Sequence, residues 1–287
     1  MIGPLHVDPS LLSYADDRYS QHGEDGIVRR IFEVIGTSTE RCCEFGAWDG
    51  IHLSNTRALI LDGWSAVLIE GEPDRAAELR QIYADFTDVH CVNSTVDAGN
   101  NRLAAVLERE ALPADFDLIS IDIDGLDYEV FESLGVRAPV ICVEVGVLLH
   151  PDRMDPVPPK LAARNVGQSL ARFRALGERL GYKLVCYTGN AFFVRRDLAG
   201  ASALTAVAPT AAYAQNLARL SYVDRFHLHR TNLGLQPPYR SFQNPYLTLG
   251  ALGLPERDDL RFVWARRQAA RARRAAFALK TLVRPNG

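Results

Sequence analysis

No Cys-x-x-Cys pair occurs in this 287-residue chain, whose five cysteines are Cys42, Cys43, Cys91, Cys142 and Cys186. That excludes the usual zinc knuckle and dithiol redox motif, and cysteines placed in apolar runs behave as small buried hydrophobes suited to a reducing cytosol. A bilayer-length apolar run is also missing. The longest uncharged segment, Leu198 to Ala218, is interrupted by Gly200, Ser202, Thr205, Pro209, Gln215 and Asn216, so it reads as loop plus helix and no membrane span is expected. The start, Met-Ile-Gly-Pro-Leu-His-Val-Asp, lacks the basic flank and apolar core of a secretory signal, and a cytoplasmic location is expected. A net charge of −3 argues neither for nor against nucleic acid, and none is expected as a partner. The Gly-x-Gly-x-x-Gly dinucleotide fingerprint is absent from the first strand-turn-helix. Trp48 stands where its second glycine would be, which leaves a pyrophosphate no room. Internal repeats and low-complexity tracts are absent too, the Ala-rich stretches aside.

What is present is 47% hydrophobic residues, enough for a sizeable core, and an ordered series of acids closing short apolar runs. Glu44 lies in Arg-Cys-Cys-Glu-Phe-Gly-Ala-Trp-Asp-Gly (41 to 50), Glu70 in Ala-Val-Leu-Ile-Glu-Gly (66 to 71), and Asp122 in Phe-Asp-Leu-Ile-Ser-Ile-Asp-Ile-Asp-Gly (116 to 125). Such runs, separated by helix-like stretches, predict buried parallel strands with polar groups at their carboxyl ends.

A helix is predicted over 27–35, with Glu24 and Asp25 in its first turn. Strands follow at 42–46, 66–70, 88–93, 117–122, 139–145, 183–187 and 191–195. Helices are predicted between them near 53–62, 73–84, 101–109, 127–134 and 165–181. The last two strands flank Thr188-Gly189-Asn190, a tight hairpin. The predicted fold is therefore α/β and Rossmann-like, a doubly wound, seven-stranded, mainly parallel sheet closed by an antiparallel hairpin. Three regions are expected: an N-terminal lid segment and helix (1–36), the sheet domain (37–197), and a C-terminal cap and basic helix (198–287). From Leu260 onward there are eight Lys or Arg and no acid. The stripe Phe262, Ala265, Ala269, Ala272, Ala276 and Leu279 predicts docking on the domain or on a second subunit.

Small residues around Gly46, Ala47 and Gly50 let a ligand approach the backbone closely. Glu44 can accept from the ammonium of an amino-acid-like ligand. Glu70, 20 residues beyond Gly50, stands where a carboxylate can accept both hydroxyls of a ribose. Asn93 and Asp97 follow the third strand, beside where an adenine would lie. A bland reading, strand-end acids merely facing solvent, applies to each acid alone; their order along one sheet edge favours a ligand site.

The chain resembles Class I S-adenosylmethionine-dependent methyltransferases of the FkbM-like group. The matching stretches are Tyr19-Ser20-Gln21-His22-Gly23-Glu24-Asp25, Glu44 to Gly50, Ser54-Asn55-Thr56, Ile69-Glu70-Gly71, Ile121 to Asp127, and Gly189 to Val194, together spanning about two thirds of the sequence. The terminal hairpin also resembles that class. The resemblance implies an O-methyltransferase acting on a hydroxyl of a sugar, glycoside or natural product. Its expected S-adenosylmethionine contacts are Gln21, Glu44, Gly46, Ala47, Gly50, Asn55, Glu70, Asn93, Asp97 and Asp122, with Gln21 and His22 over the mouth.

Asp122, Asp124 and Asp127 crowd charge at the end of the fourth strand, which raises proton affinity or invites a divalent cation such as Mg²⁺. Helix capping is the structural alternative for Asp124 and Asp127. Cation-dependent hydroxyl methyltransferases resemble this layout, implying Asp122 and Glu144 as metal ligands. They usually carry Asn or Asp after the second acid, where Val145 and Gly146 stand here. Asp122, His150 and His22 are the candidate proton acceptors. Two other readings are a non-catalytic binding or assembly module on the same fold and a nicotinamide oxidoreductase, the latter disfavoured by Trp48 and the hairpin.

Overall fold

The computed structural model describes residues 10–219 apart from 124, 147, 148, 150, 158–166 and 203. Asp124, His150, the basic C-terminal helix and any oligomer formed through it thus lie outside the described residues. Seven apolar runs form strands: β1 Arg41–Phe45, β2 Ser65–Glu70, β3 Val89–Asn93, β4 Leu118–Ile121, β5 Val140–Glu144, β6 Tyr182–Tyr187 and β7 Asn190–Arg195. They hydrogen-bond in the order β3-β2-β1-β4-β5-β7-β6. β1 to β5 are mutually parallel, and β7 runs antiparallel to both β5 and β6. This is the Class I methyltransferase arrangement of a Rossmann-like sheet, with the hairpin at the predicted place.

Side chains alternate across the pleat and divide the core in two. On one face Cys43, Phe45, Val67, Ile69, Ile119, Ile121, Ile141 and Val143 pack with residues of α4 Leu103–Arg109, α5 Asp127–Ser133, α6 Leu170–Leu180 and α8 Pro209–Arg219. On the other, Cys42, Ala66, Leu68, Leu118, Val140 and Phe192 meet α1 Glu24–Ile35, α2 Arg57–Leu61, α3 Pro73–Ile82 and α7 Arg196–Ala201. Each fully buried Leu, Ile or Phe contributes about 1.5–3 kcal/mol, so this double burial dominates stability. Among the described residues no helix is long and apolar enough to cross a membrane.

Local chemistry sets the helix ends. The Ser169 hydroxyl accepts the Arg172 N–H at the start of α6, and Gly181, at φ 87°, ends that helix in the left-handed conformation glycine tolerates. α2 is shorter than the predicted 53–62. Asp49 Oδ1 takes the N–H groups of Ile51 and His52 at 2.9 Å each, and Ser54 to Thr56 bond to Glu44 instead of starting a helix.

At the amino edge of the sheet Asp117 is 1% exposed, and its Oδ2 accepts from the N–H groups of Ser38, Thr39 and Glu40 at 2.8–2.9 Å. This one carboxylate holds the turn between α1 and β1. Asp117→Ala is expected to lower stability by about 2–3 kcal/mol, because the donors lose a charged acceptor. Urea denaturation checks this, and an unchanged midpoint would contradict the clamp.

Candidate functional site

The loops leaving β1 and β4 approach closely at Gly46. Gly46 adopts φ 66°, and a Cβ there would stand 1.9 Å from the Asp122 carbonyl oxygen. Both the backbone conformation and the space demand glycine. Gly50, at φ 68°, is similarly tight: a Cβ would meet Tyr83 and Leu79 at 2.5 and 2.6 Å. The Tyr83 hydroxyl donates to the Gly50 carbonyl at 2.6 Å, and burial, only partly offset by the Arg57 guanidinium, pushes its pKa up to about 12. It therefore stays a neutral donor. Ala47 is buried and donates its N–H to the Ile69 carbonyl at 3.2 Å, which ties this loop to the end of β2.

Glu70 closes β2 and is 8% exposed. Its Oε2 accepts the Trp48 N–H at 2.8 Å and its Oε1 the Glu72 N–H at 2.7 Å. A carboxylate offers about four lone-pair sites, so these two donors fix its plane and leave one site on each oxygen, the number a ribose diol requires. Asn93 braces the same corner, its amide donating to the carbonyls of Glu70 and Gly71 at 2.9 and 3.2 Å. Asp97 turns towards its own loop and accepts from the N–H groups of Gly99 and Asn101 at 2.7 and 3.0 Å.

Glu44 lies deeper, 4% exposed. Its Oε2 accepts the hydroxyls of Ser54 and Thr56, both at 2.7 Å, and its Oε1 the Asn55 N–H at 2.8 Å. The Asn55 side chain, also buried, passes its amide to the Ser120 hydroxyl on β4 at 3.0 Å. Burial raises the Glu44 pKa, although these bonds oppose the rise. In this arrangement Glu44 and Asn55 organise the β1–α2 loop from beneath.

Asp122, Asp127 and Glu144 can each offer a carboxylate oxygen within 4.8 Å of the others. Asp127, one of the crowded acids that the sequence offers to a cation, joins the Asp122 and Glu144 pair that the resemblance implies. It accepts the N–H groups of Ile123 and Gly125 at 2.9 Å each, so it satisfies backbone donors of the β4–α5 loop and does not cap α5, whose N-cap position is Leu126 with no side-chain bond. Three carboxylates suit a hard cation with oxygen ligands. The signal was three acids within the six residues 122–127, where Gly125, at φ 113°, turns the chain.

Gln21 and His22 approach from α1. Their N–H groups donate to Glu24 Oε2 at 3.2 and 2.6 Å, while Glu24 Oε1 accepts from Thr188 and Asn190 on the hairpin at 2.6 and 3.4 Å. Asn190 is the register partner of Glu144. The His22 ring lies beside Gly189, where a Cβ would stand 3.3 Å from its Cδ2. Gln21 is exposed and His22 half-buried. The predicted residues thus divide into exposed or half-buried groups (Gln21, His22, Asp122, Glu144), buried carboxylate and amide groups (Glu44, Asn55, Glu70) and a side loop (Asn93, Asp97).

Replacing Glu44 separates charge from hydrogen bonding. Glu44→Ala leaves three buried donors without an acceptor and is expected to cost about 3 kcal/mol, whereas Glu44→Gln, with hydroxyls free to reorient, is expected to stay within about 1 kcal/mol. A raised native pKa means the folded state holds its proton more tightly than the unfolded state, so this contribution is greatest at low pH and lost as pH rises through that pKa. Denaturation as a function of pH should show the wild type declining relative to Glu44→Gln above the carboxylate range. Parallel curves would contradict this.

No protein-family model matches the chain, and no curated protein matches it. Solved structures do. The mitomycin 7-O-methyltransferase MmcR is 15% identical with a TM-score of 0.33, over 54% of this chain and 48% of that one, so the match spans about half of that enzyme. A SAM-dependent methyltransferase from Aquifex aeolicus is 14% identical with a TM-score of 0.37, over 65% and 96% of the two chains. The N-terminal domain of EvdMO1, solved in the presence of SAH and D-fucose, is 16% identical with a TM-score of 0.40, over 63% and 91%. The chemistry of this chain has to rest on its own residues.

Proposed function

We propose that the protein is an S-adenosylmethionine-dependent O-methyltransferase of the FkbM-like kind, acting on a hydroxyl of a sugar, glycoside or similar natural product. The observation that carries this reading is Glu70: a buried strand-end carboxylate, oriented by two backbone N–H groups, keeps acceptor capacity beside a glycine loop where the sheet order reverses. That is where a doubly wound sheet takes a ribose-bearing ligand. The Gly46 approach to Asp122 brings this corner against the end of β4.

When bound, S-adenosylmethionine supplies a methyl group on a sulfonium. Transfer is an in-line displacement: the acceptor oxygen bonds to the methyl carbon, the carbon–sulfur pair stays on sulfur, and the hydroxyl proton has to leave. Asp122, exposed at the end of β4, takes that proton in this reading, directly or by sharing with Glu144 and Asp127 a cation that lowers the hydroxyl pKa. His22 on the rim and His150, outside the described residues, are the other proton acceptors of the same proposal.

Calorimetry with S-adenosylmethionine and S-adenosylhomocysteine tests the cofactor. Binding to the wild type is expected, and Glu70→Ala should weaken it roughly ten- to hundredfold, the equivalent of a lost charge-assisted hydrogen bond. No heat with either ligand, from protein that melts cooperatively, would remove the assignment.

The cation is tested separately with Mn²⁺ titrated into the S-adenosylhomocysteine complex. One site is expected, lost in Asp122→Asn and Glu144→Gln and reversed by chelator. Absence of that site would leave Asp122 as a direct base and Glu144 as a structural side chain.

A further inference from the structure

Trp48 occupies the second-glycine place of the β1 loop with φ 47°, a left-handed conformation that suits Gly, Asn or Asp. Its side chain is 41% exposed and belongs to neither core. Neither backbone preference nor packing accounts for tryptophan at this position. Its surroundings are specific. The Trp48 N–H donates to Glu70 Oε2 at 2.8 Å, so the carboxylate that fixes this corner also fixes the residue bearing the ring. The Arg75 guanidinium lies 5.3 Å from the ring centroid, and the His52 ring is 6.1 Å away, tilted by 47°. His52 in turn is anchored to Asp49, Nδ1 to Oδ2, at 2.5 Å. Burial pushes the Asp49 carboxyl up, but this bond and the N–H groups of Ile51 and His52 outweigh it and hold the pKa below the ordinary value. An exposed indole is thus steadied from two sides beside Glu70. Strained residues persist where the surroundings over-determine them, and they cluster at ligand clamps.

We propose that Trp48 is a ligand-covering residue whose indole closes over the ribose end of an adenosyl ligand held by Glu70. The inference rests on the cofactor reading above and adds the residue that shields the diol–carboxylate bonds from water and favours adenosyl ligands over the free amino acid. A flat apolar face can cover a ribose and adenine at little entropic cost, since the ring has only two torsions to fix.

The test uses the full chain, with S-adenosylhomocysteine, adenosine and methionine as probes, read by calorimetry and tryptophan emission. The chain holds three tryptophans, so Trp48→Phe isolates the emission of Trp48 by difference. Adenosine and S-adenosylhomocysteine should change the Trp48 emission, and methionine should not. Trp48→Asn, which tolerates the left-handed conformation, should bind S-adenosylhomocysteine about tenfold more weakly while melting no lower than the wild type. A structural tryptophan would give the opposite pair, a lowered melting temperature with affinity retained, and that result overturns the proposal. So does calorimetric binding to the wild type with unchanged Trp48 emission. Trp48→Gly repeats the comparison if the Asn variant does not fold. Absence of heat in the wild type itself sinks the cofactor reading and this one together, and is told apart by that control.

Discussion

A sheet covered by helices on both faces cannot leave a carboxylate unpaired, and this constraint organises the site end of the molecule. Glu44, Ser120 and Cys142 are direct register partners across β1, β4 and β5, on the face that also carries α1 and α2. Burying a charged or polar group there costs several kcal/mol unless donors are supplied, on the order of 1–3 kcal/mol for each unmet group. The chain supplies them locally: Ser54, Asn55 and Thr56 fold back on Glu44, and Asn55 reaches on to Ser120. The same face holds other acids close by. Burial first, then the charges of Glu24, Glu44 and Asp122, push the Cys142 thiol well above its ordinary pKa. Cys142 is therefore a neutral packing group.

The same logic explains the segment before α1. Asp25 Oδ2 accepts the N–H groups of Arg18, Tyr19 and Ser20 at 2.7–3.0 Å, and Glu24 links Gln21 and His22 to the hairpin. Both acids are buried. They act as clamps on the segment 18–22 that precedes them. α8 extends the clamp, because Asn216 donates to the Thr188 carbonyl at 2.7 Å and Arg219 to that of His22. Three segments far apart in sequence thus converge on the hairpin turn.

Much of this was legible in the chain. All seven strands and the helices after the first five follow from apolar runs punctuated by Gly and acid, since burial on both faces leaves a pattern that needs no long-range information, whereas the helix Arg196–Ala201 was not predicted. The order of Glu44, Glu70 and Asp122 also placed them at one edge. What could not be read was which acid faces inward. Glu44 and Glu70 look alike in sequence, yet one has side-chain donors 10 to 12 residues later and the other has only backbone donors. Asp117 likewise lies just before the strand that leads to Asp122, and serves the opposite edge by holding the Ser38–Glu40 turn. The start of α2 at Arg57 was partly legible, since Ser54, Asn55 and Thr56 are weak helix formers; their bonds to Glu44, 10 to 12 residues earlier, are a tertiary demand that the sequence does not show.

The topology finally explains why the open residues gather where they do. β1 lies between β2 and β4, and the chain after β1 enters α2 on one face while the chain after β4 enters α5 on the other. Two loops that leave neighbouring strands for opposite faces have to part, and a crevice opens where they do. Gly46 packs closely against the Asp122 carbonyl at the base of that parting. Glu70 stands on one side of it and the Asp122, Asp127, Glu144 group on the other. A side chain at 46 would wedge the loops apart at their base and move the two acidic groups relative to each other. The glycine therefore sets the span between the proposed cofactor end and the proposed proton-accepting end, although it contributes no functional group of its own.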